Sequence, residues 1–225
     1  MLFRRNLIIT LLSLFVFSFA CFAQNASYLD SLKGKYALQF QISNNFNLTN
    51  FQGSTFSGKY HFGCKSAVRL GLSLDFGDVE QDATTNQYDT VNVATNNIEQ
   101  NSFSMTIRTQ YIRYFIGTDE VAFYGGTGPF VNYSTLTRES KLTGSNDDRH
   151  LKETSDSFSI GLDLILGVEW FLSENMSLSA EYGLNFSYRT RTREYNTDDI
   201  ISTNSDETLY NISGNNINFG ISVYF

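Results

Sequence analysis

The chain has 225 residues, a formal net charge of −7 and a mean hydropathy of −0.22, although 15% of its residues are aromatic. This acidity argues against a nucleic-acid-binding protein, because phosphate binding requires clustered Lys and Arg. Beyond the N-terminal region, no apolar stretch reaches the roughly 20 residues that a spanning helix needs, so a helical membrane protein is excluded as well. The length predicts one domain.

The N-terminus has the pattern of a secretory signal peptide over residues 1–23. Two arginines precede an apolar run at 7–20, and small residues follow, so we expect cleavage after Ala23. Cys21 leaves a lipoprotein-type processing site as the alternative, although the residues before it fit that pattern poorly. Residues 24–35 are expected to form a short periplasmic segment before the folded domain, 36–225.

The domain is predicted to be all-β, because alternation of apolar and polar residues recurs along it and no helical periodicity is sustained. Eight segments show this period of two. They lie at 36–48, 55–62, 67–76, 103–114, 121–135, 158–170, 176–188 and 209–225. The fifth is rich in glycine and contains Pro129, so its facing stays open.

The C-terminal segment alternates most strictly. Its apolar face carries Phe219, Ile221, Val223 and Phe225. It resembles the last strand of bacterial outer-membrane β-barrels, which typically ends in Phe and is read by the barrel assembly machinery. A hydrophobic edge strand of a soluble sandwich or lipocalin-like binder is the alternative.

The links between the predicted strands alternate in length. Short links lie at 63–66, 116–120 and 171–175, whereas long ones lie at 77–101, 137–156 and 193–208. A transmembrane barrel has short periplasmic turns and longer outside loops, and an even strand count leaves both termini in the periplasm. Aromatic residues also cluster at both ends of the predicted strands, as expected for interfacial belts.

Taken as a whole, the region 36–225 resembles the small OmpA/OmpX-type outer-membrane β-barrel superfamily. The resemblance implies an eight-stranded antiparallel up-and-down transmembrane β-barrel in the bacterial outer membrane. It also implies contact with outer-membrane lipid and lipopolysaccharide, and with the assembly machinery.

The interior of such a barrel is just wide enough for side chains to fill it. Strand parity points six charged residues inward, and buried charges need partners. We therefore predict a lumen charge network that plugs the barrel, with the arginines neutralising the carboxylates. Its members are Arg69, Asp75, Arg108, Asp163, Glu169 and Glu181.

Catalysis is the weaker hypothesis. Glu169 and Glu181 flank one short turn and could serve as acid and base, but an ion-pair plug explains them better. The two histidines, His61 and His150, lack a Ser and a carboxylate at convincing spacing for a nucleophile system. We therefore predict no enzyme, no metal and no cofactor, with a lipid-modifying enzyme as a remote alternative.

The three long links carry formal charges of −5, −1 and −4, which together exceed the charge of the whole chain. The acidity therefore belongs to the predicted outside loops 77–101, 137–156 and 193–208, through which an extracellular ligand could bind. Two functions remain: a structural or surface-interaction scaffold, and a narrow porin-like channel for small solutes. Occupancy of the interior distinguishes them.

Overall fold

The structure, a computed structural model, describes residues 27–42, 54–86, 93–118, 120–143, 149–197, 200–214 and 217–225. The predicted signal peptide 1–23, Cys21 and the outer end of the first predicted strand lie outside these ranges. One short helix, α1 (Ser27–Ser31), precedes the strands. The strands are β1 (Tyr36–Ile42), β2 (Ser54–Gly63), β3 (Ser66–Asn86), β4 (Val93–Gly117), β5 (Val121–Thr143), β6 (Arg149–Ser173), β7 (Met176–Thr197), β8 (Ile200–Gly214) and β9 (Asn218–Tyr224).

The strands form an antiparallel up-and-down ring with eight positions. Each strand from β1 to β7 pairs with its successor, while β8 and β9 occupy the eighth position one above the other. β9 closes the ring by pairing with β1, from Ala37 opposite Tyr224 to Ile42 opposite Phe219. The predicted eight-stranded barrel is therefore confirmed, with β8 and β9 together at the position of the last predicted strand.

The predicted strand bounds were too short at the outer end. Much of the predicted loops 77–101, 137–156 and 193–208 belongs to strands that continue past the apolar region as paired hairpins. Gly77 opposite Ser102, for example, begins a ladder that runs to Asn86 opposite Val93. In the described part of the β3 hairpin, side chains on both faces, such as Asp78 and Val79, are exposed, so the period-two pattern stops while the backbone pairing continues.

The outer wall of the barrel is apolar and the inner wall is polar. Leu70, Leu162 and Leu166 are exposed on the outside, whereas Arg69, Asp163 and Glu169 are buried inside. The fifth strand follows the same rule, since Phe123 and Val131 are exposed while Tyr124 and Phe130 are buried. An apolar exterior around a polar lumen is the arrangement that a lipid bilayer selects.

Exposed aromatic side chains form two belts on the outer wall. Near the short turns, the Tyr36 ring stacks on the rings of Tyr60 and Phe225. On β6 the belts are marked by Trp170 and Phe158, both exposed. Twelve residue steps along a strand tilted by about 40° cover roughly 30 Å of membrane thickness. This spacing matches the hydrocarbon core of a bilayer.

Leu164 lies midway between the belts and is 45% exposed, so we expect the substitution Leu164→Arg to destabilise the barrel by about 2–4 kcal/mol. Leu151 is the matched control, because it is 42% exposed on the same strand but lies beyond the outer belt. Leu151→Arg should change stability by less than about 0.5 kcal/mol. Urea unfolding in lipid vesicles, followed by the fluorescence of the single tryptophan, measures both; equal effects would contradict the assignment of the bilayer region.

Candidate functional site

The end of the lumen near the short turns is filled by the segment that precedes β1. Leu29 and Leu32, one helical turn apart, are 3% and 1% exposed and pack into a cluster with inward-facing side chains of the wall. The other cluster members are Ala37, Ala67, Ile112, Tyr114, Ala122, Tyr124, Ile165, Phe171 and Tyr224. The sequence predicted a short periplasmic segment at 24–35 but not its packing into the lumen; the spacing of the two leucines was the available signal.

We call residues 27–35 the plug segment. A turn at Gly34 joins it to β1. Gly34 has φ 84°, a conformation that suits glycine, and its amide donates a hydrogen bond to the carbonyl oxygen of His61 at 2.7 Å. The amide of His61 in turn donates to the carbonyl oxygen of Lys35 at 3.0 Å. These bonds hold the plug segment against β2.

Above the plug segment, a buried ion pair joins opposite walls of the barrel. Lys59 Nζ on β2 lies 3.1 and 3.0 Å from the two carboxylate oxygens of Glu169 on β6. The same carboxylate accepts hydrogen bonds from the hydroxyls of Tyr114, Ser177 and Tyr224. An ammonium and three hydroxyls thus surround a carboxylate that is fully buried.

A second buried ion pair lies above the first. The Arg69 guanidinium donates from Nη1 and Nη2 to the two oxygens of Glu181 at 2.9 and 3.0 Å, a bidentate geometry. Its remaining donors reach the side-chain oxygens of Gln39 and Gln110, and the Tyr124 hydroxyl donates to Glu181 at 3.0 Å. We call these two ion pairs and their polar neighbours the charge plug.

The six predicted lumen residues do not form one network. Arg69 and Glu181 lie in contact, and Asp163 joins them through Gln110, whose Nε2 donates to Asp163 Oδ2 at 3.2 Å. Glu169 is bound by Lys59, which the sequence analysis missed. Strand parity was the available signal, since Lys59 shares the inward face of β2 with His61.

Glu169 and Glu181 flank the same turn, but they do not lie opposite each other in the β6–β7 ladder. Glu169 lies opposite Ser179, whereas Glu181 lies opposite Gly167. Each carboxylate has its own cation. The pair is therefore not arranged as two free carboxylates facing a common space.

Arg108 and Asp75 lie higher, in a polar cavity of about 640 Å³ that we call the cup. It is bounded by the outer halves of the strands. Its lining is Asp75, Ser102, Phe103, Ser104, Thr106, Arg108, Phe130, Asn132, Ser134, Thr135, Leu136, Glu153, Ser155, Ser157, Ser159, Asn185, Ser187, Arg189, Arg191, Arg193, Asn211 and Ser213. The lumen thus has a filled lower half and an open upper half.

His61 lies in the lower half, stacked on the Tyr114 ring at a centroid distance of 5.6 Å. Both ring nitrogens are buried without a hydrogen-bond partner among the described residues. Within those residues, no group of three or more His, Cys, Asp or Glu is placed to hold a metal ion. The helical part of the described chain contains no segment long and apolar enough to cross a membrane.

Comparison with known families decides the classification. The model of the outer membrane protein beta-barrel domain matches residues 9–225, nearly the whole chain. The chain belongs to this family. Its membership, together with the barrel, places this outer membrane barrel protein in the bacterial outer membrane.

Solved structures with a similar fold include CarO of Acinetobacter baumannii, at 11% identity, a TM-score of 0.40, and coverage of 87% of this chain and 99% of that one. A major outer membrane protein of Thermus thermophilus has 12% identity, a TM-score of 0.43, and coverage of 85% and 98%. Ail, the attachment invasion locus protein of Yersinia pestis, has 12% identity, a TM-score of 0.33, and coverage of 86% and 99%. No curated protein sequence matches the chain significantly.

We expect the substitution Lys59→Met to destabilise this outer membrane barrel by about 3–5 kcal/mol, because Glu169 would keep a buried charge without a cation. The double variant Lys59→Met/Glu169→Leu should cost less than the sum of the two single variants, since no lone charge remains.

Lys35→Met is the matched control, because the Lys35 ammonium makes an exposed hydrogen bond to the carbonyl oxygen of Glu174. It should change the free energy of unfolding by less than about 1 kcal/mol. Equilibrium unfolding in vesicles measures all four variants. Additive costs of the two plug substitutions would contradict a coupled ion pair.

Proposed function

We propose that this outer membrane barrel protein is a closed, non-conducting scaffold that presents rigid hairpins to the outside of the cell. The observation that carries the proposal is the filled lower lumen. Two ion pairs, with all four charged groups buried, lie above an apolar cluster that includes Leu29 and Leu32. A lumen filled in this way favours a closed barrel over a channel.

The hairpins beyond the outer belt support a display role. The β3–β4 hairpin continues ten residues past Phe76, which is about 33 Å of strand. Neighbouring strands are tied together by exposed contacts, such as Lys152 Nζ to Glu139 Oε1 at 2.8 Å. The hydrogen bond from Lys152 lowers the pKa of the Glu139 carboxyl, which keeps this contact charged at neutral pH.

The acidic character of these hairpins favours contact with basic or cation-bridged surfaces and keeps neighbouring copies apart. The proposal assigns no catalysis to Glu169 or Glu181, because each is already engaged by a cation and by hydroxyl or amide groups. A narrow channel would require both ion pairs to open.

Single-channel recording of the refolded mature protein in a planar bilayer tests the closed lumen. We expect no steady conductance from the wild type, since ions would have to pass two ion pairs that are buried from solvent. The double variant Arg69→Ala/Glu181→Ala removes one layer without leaving a lone charge and should show leakage or a lower threshold for openings.

Arg108→Ala is the control, because Arg108 lines the cup and not the charge plug; it should stay silent. Heat-dependent gel mobility verifies that each variant is folded. Discrete, reproducible openings of the wild type would overturn the scaffold and make the protein a small channel.

We also propose that both termini face the periplasm, so that the short turns lie there and the long hairpins outside. Cys64 lies in the turn between β2 and β3 and is partly exposed as a free thiol. A membrane-impermeant maleimide should leave Cys64 unlabelled in intact cells. It should label Cys64 once the outer membrane has been permeabilised.

The variant Leu151→Cys in a Cys64→Ser background should instead be labelled in intact cells, because Leu151 is exposed on an outer hairpin. The Cys64→Ser chain alone reports any background labelling. Labelling of Cys64 in intact cells would reverse the proposed orientation.

A further inference from the structure

The cup contains a cluster of cations whose hydrogen-bond donors are only partly used by the surrounding side chains. Three arginines, Arg189, Arg191 and Arg193, alternate along the inner face of β7, where the period of two places them on one side. A fourth, Arg108, lines the cup from β4. The carboxylates in the lining are Asp75 and Glu153, so the cup is basic inside hairpins that are acidic overall.

The donors of these arginines are incompletely used within the described residues. Arg191 and Arg193 share one carboxylate, that of Glu207, at 4.0 and 3.8 Å, which is the loose end of ion-pair geometry. Arg189 Nε donates to the Ser159 hydroxyl at 3.1 Å, a neutral acceptor. Arg108 attracts the Asp163 carboxylate electrostatically, but its Nε is buried and has no hydrogen-bond partner there. A buried guanidinium donor without an acceptor is costly, so the site favours an anion that supplies one.

The rest of the lining is rich in small hydroxyl and amide groups. Ser134 and Ser157 are hydrogen-bonded across the wall at 2.7 Å, and Asn132 donates to Ser104 and Thr106 at 2.9 Å each. Such groups both donate and accept, which suits a ligand bearing several hydroxyls. The volume of about 640 Å³ lies in the range of small-molecule sites.

We propose that the cup binds a small hydroxylated oxyanion, of the sugar-phosphate or sugar-acid class, taken from the water outside the cell. The arginines bind the phosphate or carboxylate, for which the planar guanidinium is suited, while the Ser, Thr and Asn side chains bind the hydroxyls. The charge plug forms the floor, so the ligand is held and not passed through. The binding itself does not require the barrel to be closed.

Titration of the folded protein with glucose 6-phosphate by isothermal calorimetry tests this inference. We expect saturable binding that weakens as salt is raised, with glucose and inorganic phosphate each binding at least tenfold more weakly, because each offers half of the recognised groups. Arg189→Ala and Arg108→Ala should each weaken binding at least tenfold.

Lys141→Ala is the control, because Lys141 is exposed on the outward-facing parity of β5 and does not line the cup. It should leave binding unchanged. If Arg108→Ala fails to fold, Arg189→Gln takes its place. No saturable binding, equal binding of glucose and glucose 6-phosphate, or equal weakening by Lys141→Ala would each overturn the cup as an anion site. None of these results depends on conductance. Loss of binding would therefore contradict the anion site without contradicting the closed scaffold.

Discussion

Two ion pairs buried in the lower lumen constrain the rest of the structure. Lys59, Glu169, Arg69 and Glu181 are between 0% and 3% exposed. Removing such charges from water costs several kcal/mol per ion, which is offset when each charge meets its partner and its remaining hydrogen-bonding groups are satisfied. Those partners come from β2, β3, β6 and β7, so the walls must close at one diameter and in one register. A slip of one residue would turn the charged side chains into lipid.

This constraint divides the lumen into two compartments with different chemistry. Below, aromatic hydroxyls and amides complete the two ion pairs, and Leu29 and Leu32 seal the end. Above, the cup is open and basic, with arginines that lack full complements of acceptors among the described residues. The same barrel wall therefore supports a rigid floor and an accessible site. Because the surrounding hairpins are acidic, small anions would bind at the arginines inside the cup and not on the hairpins themselves.

Much of the fold could be predicted from the sequence because lipid imposes a strict pattern. Every second residue of a bilayer-facing strand must be apolar, and so the eight strands and the two aromatic belts were predictable from their alternation. The long hairpins were not, since segments such as β3 beyond Phe76 carry no such pattern, and the described side chains at 78–81 are exposed on both faces. The proximity of Lys59 to Glu169 is a contact across the barrel, between strands far apart in the chain. Parity shows that both side chains face inward. Whether they are in contact depends on the level of each residue along the barrel axis, which is set by the register of the strands.

The arginines of the cup illustrate the same limit. Arg189 and Arg191 alternate in a way that marks one face, yet they lie between the predicted seventh strand, 176–188, and the predicted loop 193–208, and were assigned to neither. Because β7 pairs with β6 and β8 in that region, it continues as a strand, and its alternating arginines lie in a row on one face.

An experimental structure at a resolution that shows ordered water tests the division of the lumen most directly. We expect waters to fill the cup down to Arg108 and none to lie between Lys59 and Glu169 or between Arg69 and Glu181. A file of ordered waters running past both ion pairs, from the cup to the turns near Leu32, would contradict this division.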